Sequence, residues 1–135
     1  MENRYLYRGK MLNRNWVCGY LTEKDGMLFI GNKASGALAY AVQPKTICQC
    51  TGLRDKNGKL IWENDIVGFW DTYSTESGLA EADCIGKVVW DDETLSFQVT
   101  NRLSAESYEV LDECSVIGNI FDNAELLEGA ANDNR

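Results

Sequence analysis

Cys48 and Cys50 are the closest approach to a metal-ligand pair in this sequence, because on a strand both thiols would leave the same face. A tetrahedral zinc site needs four such ligands, and neither a second cysteine pair nor any histidine accompanies them, while Cys18, Cys84 and Cys114 stand singly. The thiols are therefore expected to serve mainly as small buried hydrophobes, with a metal site or a reactive thiol as the alternatives. Carboxylates offer a second chemistry. Asp91, Asp92 and Glu93 cluster and Glu63 lies near Asp65, as an acid–base pair or a hard-cation site would require. Consecutive acids on a strand alternate faces, however, and a polar cluster between two apolar runs reads as a hairpin tip. The chain contains no histidine, which removes Ser-His-Asp and Cys-His pairs, histidine metal ligands and the commonest general acid or base. Neither glycine-rich phosphate-binding pattern occurs before a helix. No catalytic, cofactor-binding or metal-ligating residue is assigned, and no cofactor is expected.

Charge narrows the choice of partner. A formal net charge of −8 over 135 residues opposes a nonspecific grip on nucleic acid, which relies on clustered Lys and Arg. The aromatics Trp62, Phe69, Trp70, Trp90 and Phe97 lie close together in sequence and resemble a stacking platform for single strands. Without interleaved cations they read instead as a β core. A nucleic-acid module would need Arg4, Arg8, Lys10, Arg14, Lys87 and Arg102 gathered on one positive face.

The elements that must position these residues are strands. Short runs rich in Val, Ile, Tyr, Trp and Phe, bounded by Gly, Asn and Asp, recur along the chain, with a single proline, Pro44. The first half offers strands at 4–8, 16–21, 27–31, 38–42 and 46–50. Asp25-Gly26 closes a hairpin over 16–31, since a type I′ turn needs positive φ at both central positions. Asn57-Gly58 folds 53–55 back on 59–62 in the same way. Strands follow at 65–70, 84–90, 94–100 and 115–121, with Leu95, Phe97 and Val99 expected on the core face. Asp122 is expected to cap a short helix through Leu127, with Glu125 completing a capping box. The polar stretch 71–83 reads as a mobile loop, too polar for a core strand, and 129–135 as a disordered tail.

In order, Arg8-Gly9-Lys10, Trp16-Val17, Gly19-Tyr20-Leu21, Gln49 with Thr51-Gly52-Leu53, Asp55-Lys56-Asn57-Gly58-Lys59 and Asp65-Ile66-Val67 make a distinctive series. Gly86 with Val88-Val89-Trp90-Asp91, then Ile117-Gly118-Asn119-Ile120-Phe121 with Leu126-Leu127, extend it to about residue 127. The series resembles the YopX family of phage and prophage proteins, the central T-G-L-x-D-x-N-G-K segment being the most specific part. One departure is Asn64, where the family pattern usually has Gly in the turn before Asp65; Asn also tolerates left-handed geometry. The resemblance implies an all-β fold with an SH3-like barrel after the T-G-L segment and additional β structure before it, and brings no catalytic or binding residue with it. The motif has a structural reading, as a hairpin followed by a turn into a strand, and a competing one in which Asp55, Lys56 and Lys59 form a recognition surface.

The expectation is thus an N-terminal β subdomain over 1–50, an SH3-like barrel over 51–128 and a short C-terminal helical turn before the tail. With no apolar run long enough for a signal peptide or a bilayer span, and an odd count of five cysteines, a soluble cytoplasmic protein is expected. The expected activity is that of a noncatalytic interaction module for a protein partner or for itself as a homo-oligomer, with nucleic-acid binding as the alternative and a carboxylate-based metal enzyme behind both.

Overall fold

The computed structural model describes residues 5–31, 38–100, 107–109 and 114–127, with backbone alone at 71–74, 81–82 and 107–109. The chain divides into two compact units, Met1–Gly52 and Leu53–Arg135.

In the first unit, β1 (Tyr7–Lys10), β2 (Trp16–Lys24), β3 (Met27–Gly31), β4 (Ala39–Ala41) and β5 (Cys48–Arg54) form an antiparallel sheet in the order β4-β3-β2-β1-β5. Asp25 and Gly26 between β2 and β3 have φ of 53° and 80°, the left-handed pair that this turn requires. The first strand lies further along than 4–8. Thr46, expected in a strand, instead ends a 3-10 turn over Pro44–Thr46. Its hydroxyl donates to the Gln43 carbonyl at 2.7 Å and accepts the Lys10 N–H at 2.8 Å, so local side-chain bonding replaces the ladder until Cys48.

In the second unit, the end of β5 turns through Asn57-Gly58 into β6 (Leu60–Trp62), followed by β7 (Asp65–Thr75), β8 (Gly78–Asp91), β9 (Ser96–Thr100), β10 (Ser107–Glu109) and β11 (Ser115–Asn119). The five last strands form a meander in the order β10-β9-β8-β7-β11, the final strand returning beside β7. One face buries Ile61, Val67, Val88, Val99 and Cys114, with Phe69, Phe97 and Val116 packed against them. The all-β expectation holds. The pairings among the described residues make an open sheet edged by β10 and β11, without the closure of a barrel.

Two expectations are corrected. The stretch 71–83 is not a loop: β7 and β8 continue as an antiparallel pair to the Thr75–Gly78 rung. Its Thr, Tyr and Ser residues suit a pleated ribbon, and such a ribbon needs no apolar face to satisfy its backbone. Leu95 is not a core residue but sits at φ 53° in the acidic turn and is 73% exposed, leaving Phe97 and Val99 to the core. The expected short helix through Leu127 is present at 125–127, and Asp122 before it accepts a bond from the Asn119 side-chain amide at 3.3 Å. The 129–135 tail, Arg4 and Arg102 lie outside the described residues.

Asn64 adopts φ 70°, its N–H donating to the Val88 carbonyl (2.8 Å) while its own carbonyl accepts from Ile120 (3.0 Å). The expected left-handed turn is therefore made by asparagine. Gly86 serves a different need. A Cβ there would lie 2.5 Å from Val99 Cγ1 and 2.7 Å from the Thr100 carbonyl oxygen, so the sheet requires a bare backbone beneath Val99. In urea unfolding followed by tryptophan fluorescence, Gly86→Ala should cost about 2 kcal/mol through overpacking. Asn64→Gly should change stability by less than about 1 kcal/mol, whereas Asn64→Val should cost about 1–2 kcal/mol for its left-handed backbone.

Candidate functional site

The most specific sequence segment folds around one carboxylate. Asp55, 5% exposed, accepts three backbone N–H groups: Asn57 and Lys59 on Oδ1 and Val116 on Oδ2, each at 2.9 Å. The Asp55 N–H bonds the Lys59 carbonyl at 2.8 Å, and the Lys56 N–H bonds the Cys114 carbonyl at 3.0 Å. Burial pushes this carboxyl up, but the N–H donors of Val116, Lys59 and Asn57, with the Lys59 ammonium, outweigh it and hold the group below its ordinary value. Asp55 is thus a latch between the Asn57-Gly58 hairpin and β11, not a surface residue. Lys56 and Lys59 alone of the three are exposed.

The other chemical candidates disperse. Asp65, 1% exposed, accepts the Trp62 N–H at 2.8 Å and shapes the entry to β7. Asp91 and Asp92 form a hairpin tip, Asp91 accepting the Glu93 N–H at 2.9 Å and Asp92 the Trp90 indole N–H at 2.8 Å. Among the described residues no three Cys, Asp or Glu side chains converge as metal ligands would. Cys48, Cys50 and Cys114 are buried and Cys84 half-buried. Cys18 is exposed on β2, where partial burial and the neighbouring Cys50 push its thiol up against the opposing pull of Arg8, so it is not an activated thiolate.

Three residues of the expected positive face, Arg8, Lys10 and Arg14, share one hairpin of the first unit. Lys10 pairs with Trp16 across β1 and β2, and Arg8 lies one same-face position away. Arg8 Cζ stands 4.8 Å and Lys10 Nζ 5.4 Å from the Trp16 ring centroid, within cation–π range. Arg14, at φ 70°, belongs to the turn of the same hairpin, whereas Lys87 lies on β8 of the other unit. The net charge conceals a division. Seven Lys or Arg against three Asp or Glu give the Met1–Gly52 unit +4, and six against eighteen give the Leu53–Arg135 unit −12.

Of the five clustered aromatics, Trp62 is buried, Phe69 and Phe97 join the core, and Trp90 meets Phe97 edge-on at 5.1 Å. Trp90 is nonetheless 45% exposed, and Trp70 departs furthest, 58% exposed on the opposite face of the sheet from Phe69. It belongs to a feature that polarity in the sequence disguised. Among the described residues β11 pairs with β7 over Asp65–Gly68 and β9 pairs with β8 over Lys87–Asp91. From Trp70↔Asp83 to Thr75↔Gly78, β7 and β8 pair with each other, and no third strand joins them among the described residues. This arm extends about 20 Å beyond the shared sheet. It carries Asp71, Glu76, Glu81 and Asp83 and no Lys or Arg, the nearest lying at Lys59 and Lys87. Leu79 near its tip is 80% exposed. The long cation-free run was the available sequence signal.

The family model described as YopX protein matches residues 6–128. No curated protein matches the chain.

A carboxyl lowered by folding contributes stability that is fully present above its unfolded value, about 3.9, and is lost as the pH falls through its lower folded value. Asp55→Asn should therefore lower unfolding stability by about 2–3 kcal/mol at pH 7, and the gap from the parent should narrow below about pH 4. Urea midpoints measured from pH 7 to pH 2.5 check both parts.

Proposed function

The chain belongs to the YopX family, and we propose on that footing that it is a noncatalytic accessory protein of a phage or prophage, acting in the bacterial cytoplasm by holding a partner protein on the β7–β8 arm. The observation that carries this reading is the arm itself: a two-stranded ribbon with unpaired outer edges among the described residues, exposed Trp70 and Leu79, and only negative side-chain charges in its sequence. Unpaired edges accept an added strand, exposed aromatic and aliphatic side chains supply contact area, and acidity selects a basic partner. A meander whose last strand returns beside its first is compatible with the SH3-like barrel that the resemblance implies. Self-association is the other use that open edges permit.

A specific observation favours a second reading. The +4 unit presents Arg8 and Lys10 around Trp16, a cationic and aromatic combination suited to nucleic acid.

Affinity capture from bacterial lysate separates these readings, using the full chain beside a variant in which residues 72–81 are replaced by Asn-Gly to close the arm early. The reading predicts a nuclease-resistant protein whose recovery falls with salt and disappears with the shortened arm, while the shortened chain still unfolds cooperatively on heating. Recovery abolished by nuclease would favour nucleic acid. Recovery indifferent to the arm would contradict the proposal.

A further inference from the structure

We propose that the Trp70–Asp83 rung of the arm is a receptor for an arginine side chain, presented by an extended segment of a partner protein that pairs with the outer edge of β8. This rests on the arm being the binding element, and it names the chemistry that the arm would recognise.

Trp70 and Asp83 are direct partners across β7 and β8, so their side chains leave the same face about 5 Å apart at Cβ. Both are exposed. An indole face beside a carboxylate is complementary to a guanidinium, which stacks on the ring while its planar N–H fork donates to the carboxylate oxygens. A lysine ammonium reproduces the charge without the fork. The chain has no Lys or Arg from Leu60 to Gly86, so the cation best suited to this rung comes from outside the arm.

The backbone supplies direction. From Asp83 to Gly78 no strand lies beside the outer edge of β8 among the described residues, and its outward N–H and C=O groups are the ones an added strand would meet. Asp83 and Leu79 are four residues apart on that edge and therefore share a face. A segment running antiparallel to β8 would place Arg opposite Asp83 and, four residues later, an apolar side chain opposite Leu79. The recognised pattern is thus Arg-x-x-x-apolar in extended form. Charge complementarity selects a foreign basic segment; a second copy of this chain is a separate outcome, visible as a change in mass on ultracentrifugation.

The probe is a capped, labelled peptide, Thr-Thr-Arg-Thr-Val-Thr-Leu-Thr-Thr, titrated with the full chain by fluorescence anisotropy. The expected result is saturable binding that weakens at least about tenfold when citrulline replaces arginine, and about tenfold for either Trp70→Ala or Asp83→Asn. Glu93→Gln, which removes an exposed negative charge at another hairpin tip, should leave binding unchanged. Moving the leucine to three residues from the arginine puts the two on opposite faces and should also weaken binding. Absent binding, self-association in place of peptide binding, or equal losses from Asp83→Asn and Glu93→Gln, would overturn the proposal. Its failure is distinguishable from failure of the arm reading. A captured partner that needs the arm but tolerates both rung substitutions sinks the receptor alone, whereas peptide binding that depends on the rung, beside a partner indifferent to the arm, sinks the proposed function alone.

Discussion

The Asp55 carboxylate receives backbone N–H groups from its own hairpin and from Val116, 61 residues away in sequence. Everything beyond it in the second unit builds on that join. It fixes the Asn57-Gly58 hairpin against β11, and β11 in turn pairs with the first four residues of β7. Removing the carboxylate would leave three N–H donors without their acceptor in a site too enclosed for bulk water to replace it fully. The Asn64 turn and the buried Asp65 complete the anchorage, since they set where β7 begins and hence which residues lie inside the five-stranded sheet. A two-stranded ribbon has little stability of its own, so the arm depends on a base held in this way.

The two units divide their chemistry by charge. Repulsion among acids in the second unit is tolerable because two of its most buried, Asp55 and Asp65, are bonded to backbone N–H groups, and the Asp91–Glu93 cluster is spread around a hairpin tip. Along the arm no internal cation offsets the negative charge. Such a distribution steers encounter with a positive partner more than it strengthens the final contact, for which Trp70 and Leu79 supply the apolar area. In the first unit, Arg8 and Lys10 flank Trp16, and the positive charge has an aromatic surface of its own.

How much of this was legible in the sequence depended on how local the cause was. Asp25-Gly26 and Asn57-Gly58 announced their hairpins because φ above zero at a turn is a property of the residues in it. The same reasoning anticipated left-handed Asn64. Asp55 stood out within a specific motif, yet its latching role was hidden, because one of its three donors arrives from a distant strand. The arm was missed because its residues from Asp71 to Glu81 are mostly polar and lack the apolar alternation by which half-buried strands are recognised. Leu95 misled for the opposite reason: its place in an apolar alternation suggested a strand, whereas the tight acidic turn takes it into the left-handed region. The charge division was concealed by summing opposite signs over the chain.

The most direct measurement of the central claim is hydrogen–deuterium exchange of the full chain, free and saturated with its captured partner. Strand addition on the arm predicts that slowed exchange concentrates in residues 69–84, strongest among the outward amides of β8, with β1 and β2 unchanged. Protection centred on β1, β2 and the Trp16 face, with the arm exchanging as in the free chain, would contradict the account.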